Sequence, residues 1–571
     1  MSDNNKSGPN AISPSFCAHA WEQTHVTPMG IVKPCCIFDG PIKNSNNKPY
    51  RISDAPIEEI WNSPHYREIR RKMLNGEVVP ECAKCMTEEK LYSTSDRIRL
   101  FKDSPELQMR IEESKLDGSI KNLPEIINLK IGNVCNLKCR MCQPQDSCQI
   151  DLEFTQISKT SPEFRSFDNA SAFDYYYNEE PIATAADWIT TDTAKHNLKV
   201  LLSHTRNLSL AGGEIAFTPE AIALLKECIS LGYAKNIVLI MSSNLTQISD
   251  SFLEMLAEFK ETSICISIDG TGDVIEYIRH PSKWKTIEKN IQRIFDSPDH
   301  VFPIFTPTVQ VYNIFNIIEV YKLMESFRHP KWEIYTPCHL TILFSPEFLS
   351  IRILPKEIRL KAASELEEFC KTSYYYTRYS VYSDQLNLLI ETLKSEDLPD
   401  YQKHLAHFLK YTELLDTQRG QSFKKVLPEL SAMIDKYNIT PEFPGTNKSF
   451  TYYQYRDLGF KHQSENNPEL ARAMFEQAAE LTLDDPDLLF AYAIALKQLN
   501  LREEAMKMFE KILAINPTHY YTLKEIGFLL MDKRMYKEAI AYFEQAIHSS
   551  SESVIDNLQG HIKECQQLLQ N

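Results

Sequence analysis

Between residues 123 and 350 short apolar runs alternate with stretches of helical period, and this alternation constrains the fold more than any other feature. The runs are EIINLKIGN, NLSLAGG, NIVLIMSSN, SICISIDG, TPTVQVYN and HLTILF, with helical stretches such as 219–231, 249–260, 284–296 and 314–328 lying between them. Apolar strands joined through helices need both sheet faces covered. The pattern predicts an α/β domain of six parallel strands under helices, open or curled into part of a barrel. Between the first two runs lies a long irregular piece, 147–198, containing FDYYYNEEPIATAADW. A loop of that length inside a compact domain is usually a functional lid or a disordered insert.

Residues 448–571 repeat. Ala471, Ala505 and Ala539 are 34 apart, as are Phe475, Phe509 and Phe543, and Gly459, Ala493 and Gly527 keep the same period. Small residues let paired helices approach closely, and each Phe fills the gap between them. The segment resembles the tetratricopeptide repeat, which implies three repeats in an all-α solenoid whose concave face commonly holds an extended peptide. HIKECQQLLQ, at 561–570, reads as a capping helix with Cys565 packed inward. The other boundaries follow from composition. Residues 1–12 read as a disordered start, 13–92 as a compact Cys-bearing segment and 93–122 as a linker helix. Residues 123–350 form the α/β domain, and 351–447 a helical connecting region.

At 571 residues the chain exceeds one core, and its 43% hydrophobic and 24% charged content is that of a globular protein. A formal charge of −15 argues against a nucleic-acid partner. No apolar run is long enough for a bilayer, so no membrane partner is expected. The polar start MSDNNKSGPN lacks the apolar core of an export signal, so a reducing cytoplasm is expected. Fourteen cysteines then need explaining as ligands or buried thiols. Cys148, Cys228, Cys265, Cys338, Cys370 and Cys565 are scattered, and for most of them a small buried apolar side chain is the better reading.

Cys135, Cys139 and Cys142 are not scattered: VCNLKCRMC sets them C-x3-C-x2-C at the end of the first strand. A structural zinc or stable iron–sulfur cluster normally takes four protein ligands, so three leave a metal position open. On a helix the three would share one face as core residues. Asn133 and Asn136 instead suggest a strand-to-loop exit, and Leu137 and Met141 are more natural core residues. A zinc site completed by Cys148 or a histidine is a further reading.

The segment resembles the signature of radical S-adenosylmethionine enzymes. That implies a partial (β/α)6 barrel and a [4Fe–4S] cluster on the three thiolates, its fourth iron chelated by the amine and carboxylate of S-adenosylmethionine. It also implies reductive cleavage to a 5′-deoxyadenosyl radical, hydrogen abstraction from a substrate, and an electron donor such as a flavodoxin or ferredoxin. Met141 stands where the family usually has an aromatic. By the same resemblance Gly212, Gly213 and Glu214 of AGGEIAF serve the cosubstrate's amine. Ser243, Asn244, Ser267 and Asp269, at the ends of the next two strands, suit its ribose hydroxyls or carboxylate. Asn244 and Asp269 read equally well as turn or cap residues. Arg279, in EYIRHPSKWKTIEKNI, pairs with an anionic group or lies in a surface ion pair.

A second cysteine set precedes the barrel: Cys17, then Gly30-x4-Cys35, then Cys82-x2-Cys85, two metal knuckles in a segment with little core of its own. It resembles the twitch, or shortened SPASM, domain. That implies one auxiliary [4Fe–4S] cluster on Cys17, Cys35, Cys82 and Cys85, with Cys36 able to replace Cys35. Such domains commonly follow the barrel, whereas this one precedes it, and a zinc knuckle is the rival. Taken together these features predict a radical enzyme acting on a peptide or protein, the repeats serving that substrate or another partner. The alternatives are an enzyme acting on a sugar, cyclitol or other small molecule, and a non-catalytic redox sensor or scaffold.

Overall fold

The computed structural model describes residues 12–92, 95–167, 187–333, 335–398, 400–444, 456, 459–460, 462–463, 467–481, 486–548 and 555–570. The chain divides into two compact units, Met1–Thr446 and Asn447–Asn571.

In the first unit the strands are β1 (Gln23–Val26), β2 (Val32–Lys33), β3 (Ile126–Lys130), β4 (Lys138–Cys139), β5 (Asn207–Ala211), β6 (Val238–Ser243), β7 (Glu261–Ile266), β8 (Arg279–His280), β9 (Val301–Phe305), β10 (Thr308–Val309) and β11 (Thr341–Ile342). One sheet runs β2-β1-β3-β5-β6-β7-β9, parallel throughout except for the β1–β2 hairpin. From β9 the chain passes into β10, which pairs in parallel with β11, and a bridge from Phe305 to Cys338 carries the pairing across. This completes a six-strand α/β succession. Side chains alternate across the sheet. Val26, Ile127, Leu129, Leu208, Leu210, Leu239 and Met241 are buried on one side. Helices with apolar stripes, such as Trp284–Phe295 with Ile287, Ile291 and Ile294 buried, belong to the same core. The opposite side carries Asn128, Lys130, Ser209, Ala211 and Cys265, all half-buried.

Three features depart from the sequence reading. The fifth strand is not TPTVQVYN but the preceding VFPIF, with two residues of pairing left at Thr308–Val309. Pro303 argues against a central strand, yet it sits on the outermost strand of the seven-stranded sheet, where a missing N–H is tolerated, and its carbonyl accepts from Trp332 Nε1 at 2.8 Å. The single linker helix becomes two, Asp96–Arg99 and Pro105–Ser114, the second capped by Ser104 and opened by Pro105. In the 147–198 piece both flanks are helical, Cys148–Thr160 and Asp192–His204, and residues 168–186, with most of FDYYYNEEPIATAADW, lie outside the described residues.

Helices follow the sheet, Lys356–Thr372, Ser380–Lys394 and Tyr401–Arg419 being the longest. In the second unit helices run from Pro468–Leu481 to Tyr536–His548, followed by Ile555–Gln570. Ala471, Ala505, Ala539, Phe475, Phe509, Phe543 and Cys565 are all fully buried. A Cβ on Gly459 or Gly527 would stand 2.4 Å from the ring of Phe475 or Phe543, which explains the small residue sixteen positions before each Phe.

Candidate active site

The triad lies on a loop leaving β3, and the loop is fixed at both ends. Cys148 N–H donates to the Asn133 carbonyl at 2.8 Å, and Ser147 donates to the Leu137 carbonyl at 2.8 Å while capping the helix that follows. In the middle, β4 pairs with β8, so that Cys139 stands opposite Arg279 and Lys138 opposite His280. Cys139 is buried, and Cys135 and Cys142 are half-buried. Burial pushes all three thiols up, Cys135 to about 12, and the charge of its neighbours in the triad adds to the rise for Cys135 and Cys142. Thiols this hard to ionise need a cationic partner or a metal to hold them as thiolates.

One cation is in place. Arg279, in the interior and not in a surface pair, donates Nη1 to Cys139 Sγ at 3.7 Å and Nε to Asp269 at 2.7 Å. Asp269 is fully buried, and its other oxygen accepts from Thr308 N–H at 2.8 Å. It therefore orients Arg279.

Gly212 and Gly213 bring the end of β5 against the loop. Their φ values are +99° and +51°, and a Cβ on Gly213 would lie 2.1 Å from the Val134 carbonyl oxygen. Only a residue without a side chain permits that approach. Glu214 follows, buried, with Ser243 Oγ donating to it at 2.8 Å and Asn244 N–H at 2.7 Å. Burial raises its carboxyl to about 7 despite these donors. Asn244 also donates to Asn136 at 3.0 Å, within the triad loop. Ser267 is half-buried and donates its N–H to the Ser243 carbonyl. Glu214, Ser243 and Asn244 thus form one hydrogen-bonded unit against the loop.

Cys17, Cys35, Cys82 and Cys85 come together across 69 positions of sequence. They line, with Cys36, a pocket to which Gln23 of β1 and Asn128 of β3 contribute from the sheet. Burial raises the Cys17, Cys35 and Cys82 thiols, and the charges of other members of the set raise them further. Cys36 is exposed and lies at the rim. Asp39 N–H donates to the Glu81 carbonyl at 2.9 Å, tying the two knuckles together.

The sequence reading missed the wall behind the triad, part of which, Tyr411, Asp416 and Arg419, comes from more than 270 positions away. Arg140, within the signature itself, is fully buried, stacks 3.6 Å from the Tyr277 ring centroid, and pairs with Asp416. Tyr411 Oη donates to the Arg140 carbonyl at 2.8 Å, and Tyr277 Oη to Asp416 at 2.8 Å. Arg419 forms a wholly buried pair with Glu153 at 2.6 Å, and its charge, with that of Arg279, favours the Cys139 thiolate. Among the described residues the buried Nη1 atoms of Arg140 and Arg419 have no hydrogen-bond partner. The signal available in sequence was the arginine inside CRMC, a charge that had to be paired somewhere.

These features fit the implied clusters. Each group is made of unbridged thiols, buried or half-buried, with guanidinium groups beside the first.

Residues 17–86 match the SPASM family, an iron–sulfur cluster-binding domain, and residues 129–323 match the Radical SAM superfamily. The chain carries a Radical SAM domain preceded by a SPASM iron–sulfur domain. Its cofactors are S-adenosylmethionine, the [4Fe–4S] cluster that binds it, and an auxiliary iron–sulfur cluster. The tetratricopeptide family matches at 486–519 and 525–551, two of the three repeats read from spacing. The auxiliary domain's position before the barrel has a structural counterpart, since β1 adds in parallel to β3 and makes the domain part of the barrel sheet.

A search of curated proteins finds no match. Solved structures similar to this chain include the Sgt2 TPR domain from Aspergillus fumigatus, at 16% identity over 22% of this chain and 85% of that one, with a TM-score of 0.20. The TPR2B domain of yeast Sti1 in complex with pHsp70 matches at 15% identity over 20% and 96%, TM-score 0.20. The Arabidopsis OM64 TPR domain matches at 16% over 20% and 94%, TM-score 0.19. Among the described residues no helix is long and apolar enough to cross a membrane.

Proposed function

We propose that this radical SAM enzyme modifies a peptide or protein, by oxidation or another radical-initiated change. A [4Fe–4S] cluster and S-adenosylmethionine together supply one-electron cleavage of the sulfonium and abstraction of a substrate hydrogen. Cys135, Cys139 and Cys142 would hold that cluster, and Cys17, Cys35, Cys82 and Cys85 the auxiliary one. Gly212 and Gly213 seat the strand end against the loop, and Glu214, fixed by Ser243 and Asn244, accepts from the cosubstrate's amine. Ser267 offers a hydroxyl to the cosubstrate, while Asp269 acts through Arg279. An electron donor of the flavodoxin or ferredoxin class would reduce the site.

The observation that carries the peptide reading is the pairing of such a barrel with tetratricopeptide repeats, a fold that binds proteins and peptides. The test is anaerobic incubation of the reconstituted full-length enzyme with reductant, S-adenosylmethionine and proteins encoded beside it. Formation of 5′-deoxyadenosine together with a mass change in one of those proteins is the expected result. A mass change confined to small metabolites would place the repeats with a different partner. Absence of 5′-deoxyadenosine would remove the catalytic reading altogether.

A further inference from the structure

At the end of the sheet away from the triad lies a pocket lined by Arg328, His329, Trp332, Tyr374, Tyr375 and Tyr379, with Glu333 also on its wall. Its place follows from the strands. The His329 ring is 5.8 Å from that of Phe302, near the start of β9, and Trp332 Nε1 donates to the Pro303 carbonyl. The triad loop leaves the other end of this parallel sheet, and the five residues of β9 span about 16 Å. The pocket shares no lining residue with the one at the auxiliary cysteines.

Two positive charges are gathered here without an ion pair among the described residues. The guanidinium groups of Arg328 and Arg378 lie 4.4 Å and 3.9 Å from the centroid of one ring, that of Tyr374. Their Nη1 atoms donate to main-chain carbonyls, Arg328 to Glu325 and Phe327 and Arg378 to Tyr374. This holds both groups in place and leaves Nε and Nη2 of each to donate elsewhere. The Glu325 carboxylate is occupied by Ser373 Oγ and the Tyr374 N–H, and Lys331 is paired with Glu261 at 2.6 Å. His329 adds a neutral donor. It is 7% exposed, and its Nδ1 accepts from the Lys331 N–H at 3.2 Å. Burial lowers its pKa, so at pH 7 the ring is neutral with its proton on Nε2, which has no hydrogen-bond partner among the described residues. Helix Ser380–Lys394 starts at Tyr379 with no side-chain cap, leaving its first N–H groups and the positive end of its dipole at the pocket.

We propose that this pocket binds a phosphate monoester, its phosphate held by Arg328, Arg378, His329 and the open start of helix Ser380–Lys394. Two guanidinium groups suit a dianion better than a carboxylate, and their planar forks match phosphate oxygens. Trp332, Tyr375 and Tyr379 give the wall an apolar part that meets the carbon group of an ester and that free phosphate would leave unused. Glu333 opposes the anion, but it is exposed and solvent screens it. The site does not rest on the peptide reading above.

Ligand-observed NMR titrations of the anaerobically reconstituted full-length enzyme test this with phenyl phosphate, benzoate and inorganic phosphate. Phenyl phosphate should bind at least fivefold tighter than either of the others. The double variant Arg328→Gln, Arg378→Gln should weaken it at least tenfold. Lys511→Gln with Lys537→Gln removes the same charge from exposed positions of the second unit and should leave it unchanged. Glu333→Gln should tighten it. Iron content and melting temperature report the fold of each variant. Phenyl phosphate binding that is unchanged in the arginine variant, or weakened equally in the lysine one, would overturn the proposal. Benzoate binding as tightly would overturn the choice of a dianion, and inorganic phosphate binding as tightly the choice of an ester.

Discussion

The two cysteine sets solve one problem in opposite ways. The triad is local in sequence, three thiols within eight residues, but what surrounds it is drawn from Tyr277, Arg279, Tyr411, Asp416 and Arg419, far along the chain. The auxiliary set is dispersed, its four thiols spread over 69 positions, yet its walls are built mostly by its own segment and by the edge of the sheet that β1 extends. A site that must keep one metal position open needs its protein ligands on a single rigid loop and its charge balance supplied from outside. A site closed by four thiols can instead use those ligands to hold a small segment together.

The comparison breaks most visibly if one triad thiol is removed. Cys139→Ala should abolish 5′-deoxyadenosine formation, since no hydrogen bond replaces a lost ligand. Iron should fall from about eight per chain to about four, because the auxiliary set remains. Cys82→Ala should also lose about half the iron but leave some cosubstrate cleavage. Iron analysis and product chromatography on the two variants check this, and equal behaviour of both would mean that the two sets do not act separately.

What was legible in the sequence follows the same division. The strand–helix alternation, the signature and the 34-residue period are local or strictly periodic, and each appeared at its place in the fold. VFPIF is hard to read as a strand, because a proline such as Pro303 argues against one unless it lies at a sheet edge. Arg140, Asp416 and Arg419 were not legible, because a charge in sequence does not reveal what pairs with it once buried. The shared sheet could not be read either: QTHV is four residues of mixed character, and its pairing with β3 exists only in three dimensions.

That buried wall gives the next effect in size. Arg419→Leu leaves the buried Glu153 with only Lys138, 3.5 Å away, so the loss should be at most about 3–5 kcal/mol, the cost of breaking a buried pair. Thermal unfolding should show the loss in the first unit. The reduction potential of the triad cluster should also fall, because a cation near Cys139 favours the more negative, reduced state. The auxiliary cluster's potential should stay where it is. A matching shift in both potentials would mean that the wall acts through general loosening.

Gly213→Ala probes the close approach at the end of β5. With φ at +51° and a Cβ 2.1 Å from the Val134 carbonyl, the backbone has to move, at a cost of about 1–3 kcal/mol. The displacement falls on the triad loop, so cosubstrate binding should weaken while the auxiliary iron is retained, measurable by equilibrium dialysis and iron analysis.

The smallest effect is a pH dependence that the triad should show and the auxiliary set should not. Glu214 has a carboxyl raised by burial to about 7, so in the free enzyme it is mostly protonated at pH 6 and mostly ionised at pH 8. A protonated carboxyl cannot accept as well from the cosubstrate's amine. Ionising it before binding removes that cost, so affinity should rise with pH through about 7. Between pH 6 and 8 the ionised fraction grows from roughly one-tenth to nine-tenths, a gain of about tenfold in affinity. Free-protein stability runs the other way. Because the folded state holds this proton to a higher pH than the unfolded state, stability falls as pH rises from about 4.5 to about 7. Equilibrium dialysis of S-adenosylmethionine against cluster-loaded enzyme should show the tenfold gain, and Glu214→Gln should remove it. Whatever pH dependence survives in that variant belongs to the cosubstrate's own amine. An unchanged profile would place Glu214 in the scaffold with Ser243 and Asn244, not in contact with the cosubstrate.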